Sequence, residues 1–273
     1  MRIAVLLLSR GRPAGLVAAI QSLHATASGE RPVHYVVCGD DDDPTMEQAQ
    51  DLLSHVPVTW SINPRPDALG RAWNLGAQAL EGWDLALFTG DDTVPCAWHW
   101  DSRMAESAAR SNGAYAWTEA NDPDNCTYWV TTRRWHEAVG RACPELFPYW
   151  FNDTWVAEQH LFAFEAPIPV DRGLIMGGQR GTTREMREVS FWFRVFAATR
   201  PQRIAEAARI ALAHGRQPSD PTPMLEWCRR WDAAQQASVD RYNRIFAADT
   251  VPPTPRYLRL RAQAERLLHQ VAT

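Results

Sequence analysis

Leu85-Ala86-Leu87-Phe88-Thr89-Gly90-Asp91-Asp92 is the stretch whose reading decides the fold. Four apolar residues in a row, stopped by Thr-Gly and two aspartates, read as a buried strand that ends at the rim of a sheet. Upstream, Leu69 to Leu80 reads as a helix with Leu69, Trp73, Leu75 or Gly76, and Leu80 turned inward. Before it come a strand over Val58 to Ile62 and a helix over Thr45 to Leu53. Further back, Val33 to Cys38 is a strand that runs into Gly39 and four consecutive aspartates. The chain opens with the apolar run Ile3 to Leu8, the turn Ser9-Arg10-Gly11-Arg12-Pro13, and a helix to His24 with Leu16, Val17, Ile20 and Leu23 at helical spacing. Strands alternating with helices in this way predict an α/β fold with a mostly parallel sheet covered on both faces. Ligands collect at the carboxyl ends of such strands, where both aspartate clusters lie.

Downstream the character changes. Tyr115 to Thr118 and Tyr128 to Thr131 read as short strands, Thr132 to Val139 and Thr154 to Phe164 as helices, and Pro167 to Val170 as a further strand. Arg172 to Arg187, rich in Gly and Arg, reads as a loop. From Phe191 onward the pattern is helical, with amphipathic pieces at Ile204 to His214, Met224 to Phe246 and Tyr257 to Val271, broken by proline-containing stretches.

Composition excludes several classes. With 273 residues, 45% of them hydrophobic, one α/β domain with a helical extension fits, and no apolar run approaches the roughly 18 residues of a membrane span. Ile3 to Leu8 is too short and lacks a cleavage site for a signal peptide. The five cysteines are odd in number and hold no C-x-x-C pair, which argues against a disulfide framework or a zinc site and predicts a soluble cytoplasmic protein. All 28 basic side chains are Arg, so chemistry that needs a catalytic lysine is out. Residues 1–199 carry a net charge of about -9 and residues 200–273 about +5, so the tail is a candidate polyanion-binding surface or an ordinary solvated helix face.

Asp91 and Asp92, at a strand end, suit a hard cation such as Mn²⁺ or Mg²⁺, which binds through one or two carboxylates plus substrate phosphates. An isolated Asp-Asp pair also serves simply as a turn and helix cap. The order of features separates the two readings. Leu6-Leu7-Leu8-Ser9-Arg10-Gly11-Arg12-Pro13, then Val36-Val37-Cys38-Gly39-Asp40-Asp41, then Gly70-Arg71-Ala72-Trp73-Asn74-Leu75-Gly76, then Gly90-Asp91-Asp92 resemble, over residues 1–165 in outline, the GT-A nucleotide-sugar glycosyltransferases, family-2-like.

That resemblance implies a Rossmann-like three-layer α/β/α catalytic domain over residues 1–190, with the donor half over 1–110 and the acceptor half and lid loop over 111–190, followed by a helical extension over 191–273. It implies transfer of a sugar from a nucleotide-diphosphate donor such as a UDP-sugar to a hydroxyl acceptor, with Mn²⁺ or Mg²⁺ held by Asp92 and Asp91. Ser9, Arg10, Arg12, Asp40, Asp41, Arg71 and Asp91 would contact the donor, and Gly90 stands where the common motif has an acid. Asp153, in Phe151-Asn152-Asp153-Thr154-Trp155, is placed as the base of an inverting reaction, with Glu158 one turn on as its fallback; Asp153 can equally be a helix N-cap. His160 is the nearest candidate for a third metal ligand. Arg180 and Arg184, in the Gly/Arg loop, would close over the diphosphate. The acceptor stays open among a glycan, a small molecule, a protein and a modified nucleobase in DNA. A nucleotidyltransferase and a non-catalytic carbohydrate- or nucleotide-binding module are the competing readings.

Overall fold

The computed structural model describes residues 1–95, 97–111, 113–119, 128–177, 186–246 and 252–272. Its first half is the predicted alternation. Strands β1 (Ile3–Leu8), β2 (Val33–Asp40), β3 (Val58–Asn63) and β4 (Leu85–Gly90) are all parallel, in the order β3-β2-β1-β4. Between them run α1 (Pro13–Thr26), α2 (Met46–Leu52) and α3 (Leu69–Gln78). Alternate residues of β1 serve opposite faces: Ile3, Val5 and Leu7 pack with α1 and α2, whereas Ala4 and Leu6 pack with α3. Burial on both faces is why the strand is an unbroken apolar run instead of an alternating one.

Register then sets the site. Leu8 stands opposite both Cys38 and Gly90, so β1, β2 and β4 end almost flush, and Asp40 stands opposite Asn63 at the end of β3. Whatever follows these strands shares one rim.

The sheet continues through β7 (Tyr128–Thr132), β6 (Ala114–Glu119), β8 (Val170–Gly177) and β5 (Thr93–Pro95), giving the order β3-β2-β1-β4-β7-β6-β8-β5 among the described residues. β7 runs antiparallel to β4, and β5 antiparallel to β8; the other strands share one direction. Helices α4 (Trp100–Arg110), α5 (Arg133–Val139) and α6 (Asn152–Phe164) cover this half. β8 begins at Val170 and occupies the first part of the stretch expected as a loop. Its polar start, Asp171-Arg172-Gly173, hides the strand because pairing with β6 and β5, not an apolar pattern, defines it. β5 and α4 also go beyond the sequence reading.

The C-terminal helices α7 (Val189–Ala198), α8 (Arg200–Ala213), α9 (Thr222–Phe246) and α10 (Pro255–Ala272) are packed onto the sheet half. Phe191, Trp192, Val195 and Phe196 of α7 share a core with Leu146, Phe147 and Trp155, joined by Val239 of α9 and Tyr257 and Leu260 of α10. Much of the tail's positive charge is turned toward the body: Arg203 pairs with Glu158, Arg256 with Asp42, Arg259 with Asp67 and Arg261 with Glu188. Among the described residues, no helix is long and apolar enough to cross a membrane.

Candidate active site

Ser9 and Arg12 follow β1, and Asp91 and Asp92 follow β4, so the flush ends of these neighbouring strands bring all four together. Ser9 Oγ donates to Asp91 Oδ2 at 2.8 Å, and Arg12 Nε donates to the same oxygen at 3.2 Å. Arg12 Nη2 forms an ion pair with Asp91 Oδ1, but that buried oxygen accepts no aligned hydrogen bond. Asp92 lies at the edge of this cluster, its side chain 28% exposed and its Oδ2 3.8 Å from Arg12 Nη1. The two aspartates thus differ: Asp91 points inward against Ser9 and Arg12, while Asp92 is open to the rim. Burial pushes the Asp91 carboxyl up to about 6, with the Arg12 charge and the Ser9 hydrogen bond working against it. Burial raises Asp92 as well, again opposed by Arg12. Gly90 leaves room for the Asp92 carboxylate, since a Cβ there would sit 2.9 Å from Asp92 Oδ1.

The aspartates after β2 divide in the same way. Asp40 is buried between Arg10, at 3.2 Å, and Arg65, at 3.5 Å. Asp41 and Asp42 are exposed; Asp42 pairs with Arg10 and, at 3.3 Å, with Arg256 of α10. Asp43 is structural: it accepts from the Gly11 amide at 2.7 Å and from the amide and hydroxyl of Thr45. Those hydrogen bonds hold its carboxyl below the ordinary range although burial opposes them. Arg65 was not singled out in the sequence, yet it follows β3 in Asn63-Pro64-Arg65-Pro66, and the rule that points to strand ends points to it as well.

Asp153 lies in the first turn of α6, whose start packs beside the start of α3. Leu69, at the start of α3, donates its amide to Phe147 O at 3.0 Å, and the Phe147 ring packs against Phe151 and Trp155 on either side of Asp153. Phe151 adopts a left-handed backbone with φ of 70°, costly for a bulky residue and sustained here by stacking on Phe196 at 5.2 Å between centroids. This kink sets the direction in which α6 begins. Asp153 accepts from the Thr154 amide at 2.7 Å, and burial nevertheless pushes its carboxyl up to about 6.

Three other predicted site residues stand apart. Glu158 is buried and bound to Arg203 Nε at 2.6 Å and to Arg200 Nη2 at 2.9 Å, so its oxygens face guanidiniums of α8 and not the rim. His160 stacks on Trp135, and its Nδ1 donates to Ala166 O at 2.9 Å. The Trp135 amide donates to the hydroxyl of Thr132, the N-cap of α5 and the partner of Leu85 at the start of β4, whereas Asp91 follows the end of that strand. At about 3.3 Å per residue, the length of β4 separates His160 from the aspartates. Burial lowers the His160 imidazole to about 4, leaving it neutral. Arg71 is exposed on α3 and pairs with Glu145 at 3.4 Å, while its neighbour Asn74 is a buried tie to the backbone of Ala142 and Cys143. Arg180 and Arg184 lie outside the described residues. Of the tryptophans, Trp100, Trp129, Trp135 and Trp155 are core, and Trp150 beside α6 is partly exposed.

No family model and no curated protein matches the sequence. Solved structures do match over nearly the whole chain. A mannosyltransferase of Pyrobaculum calidifontis, solved with GDP-Man and Mn²⁺, is 12% identical with a TM-score of 0.56, covering 99% of this chain and 86% of its own. S. aureus TarS 1-349, solved with UDP-GlcNAc, is 12% identical with a TM-score of 0.62, covering 100% of this chain and 87% of its own. Similarity of structure at this low identity speaks for architecture, and the architecture of this chain is the GT-A-like fold of nucleotide-sugar glycosyltransferases.

Proposed function

We propose that the chain transfers a sugar from a nucleotide-diphosphate donor to a hydroxyl acceptor, with inversion and with a divalent cation. The observation that carries this reading is one rim. Ser9, Arg12, Asp91 and Asp92 meet at the ends of β1 and β4, and the start of α6, which bears Asp153, packs through Phe147 beside the start of α3. Two of the similar folds were solved with GDP-Man and Mn²⁺ and with UDP-GlcNAc.

The donor set fits a hard cation. Asp92 is accessible, and Asp91 Oδ1, although ion-paired with Arg12 Nη2, accepts no aligned hydrogen bond, so these two carboxylates would hold the ion. Among the described residues no group of three His, Cys, Asp or Glu side chains is placed to bind a metal, so donor phosphate and water would complete the shell. A divalent ion held there would neutralise charge gathering on the departing diphosphate.

Asp40, between Arg10 and Arg65, would anchor the nucleoside end of the donor. Asp153 would take the acceptor proton. As the acceptor oxygen bonds to the anomeric carbon, the bond from that carbon to the phosphate oxygen breaks, the nucleoside diphosphate leaves with the electron pair, and the proton ends on an Asp153 carboxylate oxygen. A carboxyl at about 6 suits the task, because it is ionised near neutrality yet more basic than an ordinary aspartate.

The test is a thermal-shift series with UDP, GDP and their sugars, with and without Mn²⁺. A ligand at a hundredfold excess over its Kd adds about 2.7 kcal/mol to stability. One nucleoside diphosphate should raise Tm strongly only with Mn²⁺, and Asp92→Asn should remove the metal-dependent part. An Asp92→Asn protein that keeps its full Mn²⁺-dependent shift refutes this assignment, and binding without hydrolysis or transfer of any nucleotide-sugar would favour a non-catalytic module.

A further inference from the structure

Arg12 already spans the two carboxylates of the proposed cation site. Its guanidinium contacts both oxygens of Asp91, and its Nη1 reaches to 3.8 Å from Asp92 Oδ2. The setting is asymmetric: the Asp91 side chain is fully buried, while the Arg12 side chain is 29% exposed. Arg12 immediately precedes Pro13, the first residue of α1, and its side chain is only partly covered.

Charge decides what this bridge does. Two adjacent carboxylates, one out of water, need a positive partner, and a single guanidinium leaves one negative charge over. A divalent ion would balance the pair fully, but at contact distance the guanidinium repels it and occupies the same oxygens. Freed from the pair, a guanidinium is well shaped for bidentate binding of phosphate.

We propose that Arg12 is a resident counter-cation: it closes the Asp91–Asp92 pair in the donor-free protein and exchanges these carboxylates for the donor diphosphate as the divalent ion is taken up. The inference rests on the metal-assisted reading above. Its consequence is coupling: Arg12 suppresses uptake of the bare ion and rewards uptake of ion and diphosphate together, which keeps the acidic pair from being filled when no donor is present.

The experiment titrates Mn²⁺ into the full chain without nucleotide, following the free ion by its EPR signal, and then repeats the titration with saturating UDP or GDP against a protein-free blank. In the unaltered protein, nucleotide should tighten Mn²⁺ binding at least about tenfold. Arg12→Gln should bind Mn²⁺ alone about tenfold more tightly than the unaltered protein, from the loss of one repelling charge, and lose most of the tightening by nucleotide. If Arg12→Gln does not fold, Arg12→Lys serves in its place: it keeps a charge on Asp91 but cannot span both carboxylates, and Mn²⁺ alone should bind about threefold more tightly. Mn²⁺ binding by either folded variant that matches the unaltered protein with and without nucleotide overturns the proposal and leaves the metal site standing. No Mn²⁺ binding by the unaltered protein even with UDP or GDP overturns both.

Discussion

Replacing Glu158 with Gln should destabilise the fold by about 3 kcal/mol, the lower end of the range for breaking one side of a buried ion pair. The figure follows from what each partner retains. Arg200 keeps Asp232, which accepts two hydrogen bonds at 2.9 Å. Arg203, fully buried, loses its only acidic partner among the described residues. It keeps neutral acceptors, Thr199 Oγ1 at 3.0 Å and Phe196 O at 2.7 Å, and lies 3.8 Å from the Phe196 ring and 4.8 Å from the Trp155 ring. These soften the loss without replacing a carboxylate, and the new amide turns a donor toward a guanidinium. At about 2–4 °C per kcal/mol, Tm should fall by about 6–12 °C. Urea denaturation followed by circular dichroism measures the free energy, and UDP and GDP binding well below Tm should be unchanged. A Glu158→Gln protein with unaltered stability but no transfer would refute the placement of Glu158 as a tie between α6 and α8 and return it to the chemistry.

Asp153 carries a pH signature. Its carboxyl sits at about 6 against an ordinary value of 3.8, so the folded state holds the proton more tightly. Its contribution to stability is present in full below about 4 and is lost as pH rises through 6. The urea midpoint of the unaltered protein relative to Asp153→Asn should therefore fall between pH 4 and 6, while transfer should rise over the same window and drop about 10²–10⁴-fold in the variant. A midpoint difference that does not vary with pH contradicts the assignment. Gly70→Ala should cost about 1–3 kcal/mol in urea denaturation, because a Cβ there would sit 2.9 Å from Cys143 Cβ and closer still to the Pro144 carbonyl oxygen. A neutral result would mean that α3 is free to shift against that loop.

The parallel half was legible because β1 and β4 are buried on both faces and therefore apolar without interruption. α4 was not, since it starts from His99 in a left-handed conformation with no side-chain cap, and its buried Trp100, Met104 and Ala105 are spaced among charges. The gathering of Ser9, Arg12 and Asp91 could be anticipated from strand ends alone. What the acids do could not. Asp91, Glu158 and Asp43 look alike in a sequence, and only their partners, placed 79, 42 and 32 residues away, separate an inward carboxylate from a helix tie and a turn cap.

The pairing of Asp42 with Arg256 spans 214 residues of chain. At synthesis rates of about 5–20 residues per second, roughly 10–40 s separate the emergence of these two side chains from the ribosome. During that interval the sheet half exists with an acidic loop unmet by α10, and its surplus of like charge disfavours premature association between nascent chains. The closing of α10 over Asp42 and Asp67 then follows the emergence of the sheet half, and the rim that bears the aspartates reaches its final electrostatic state only once the residues of α10 have been made.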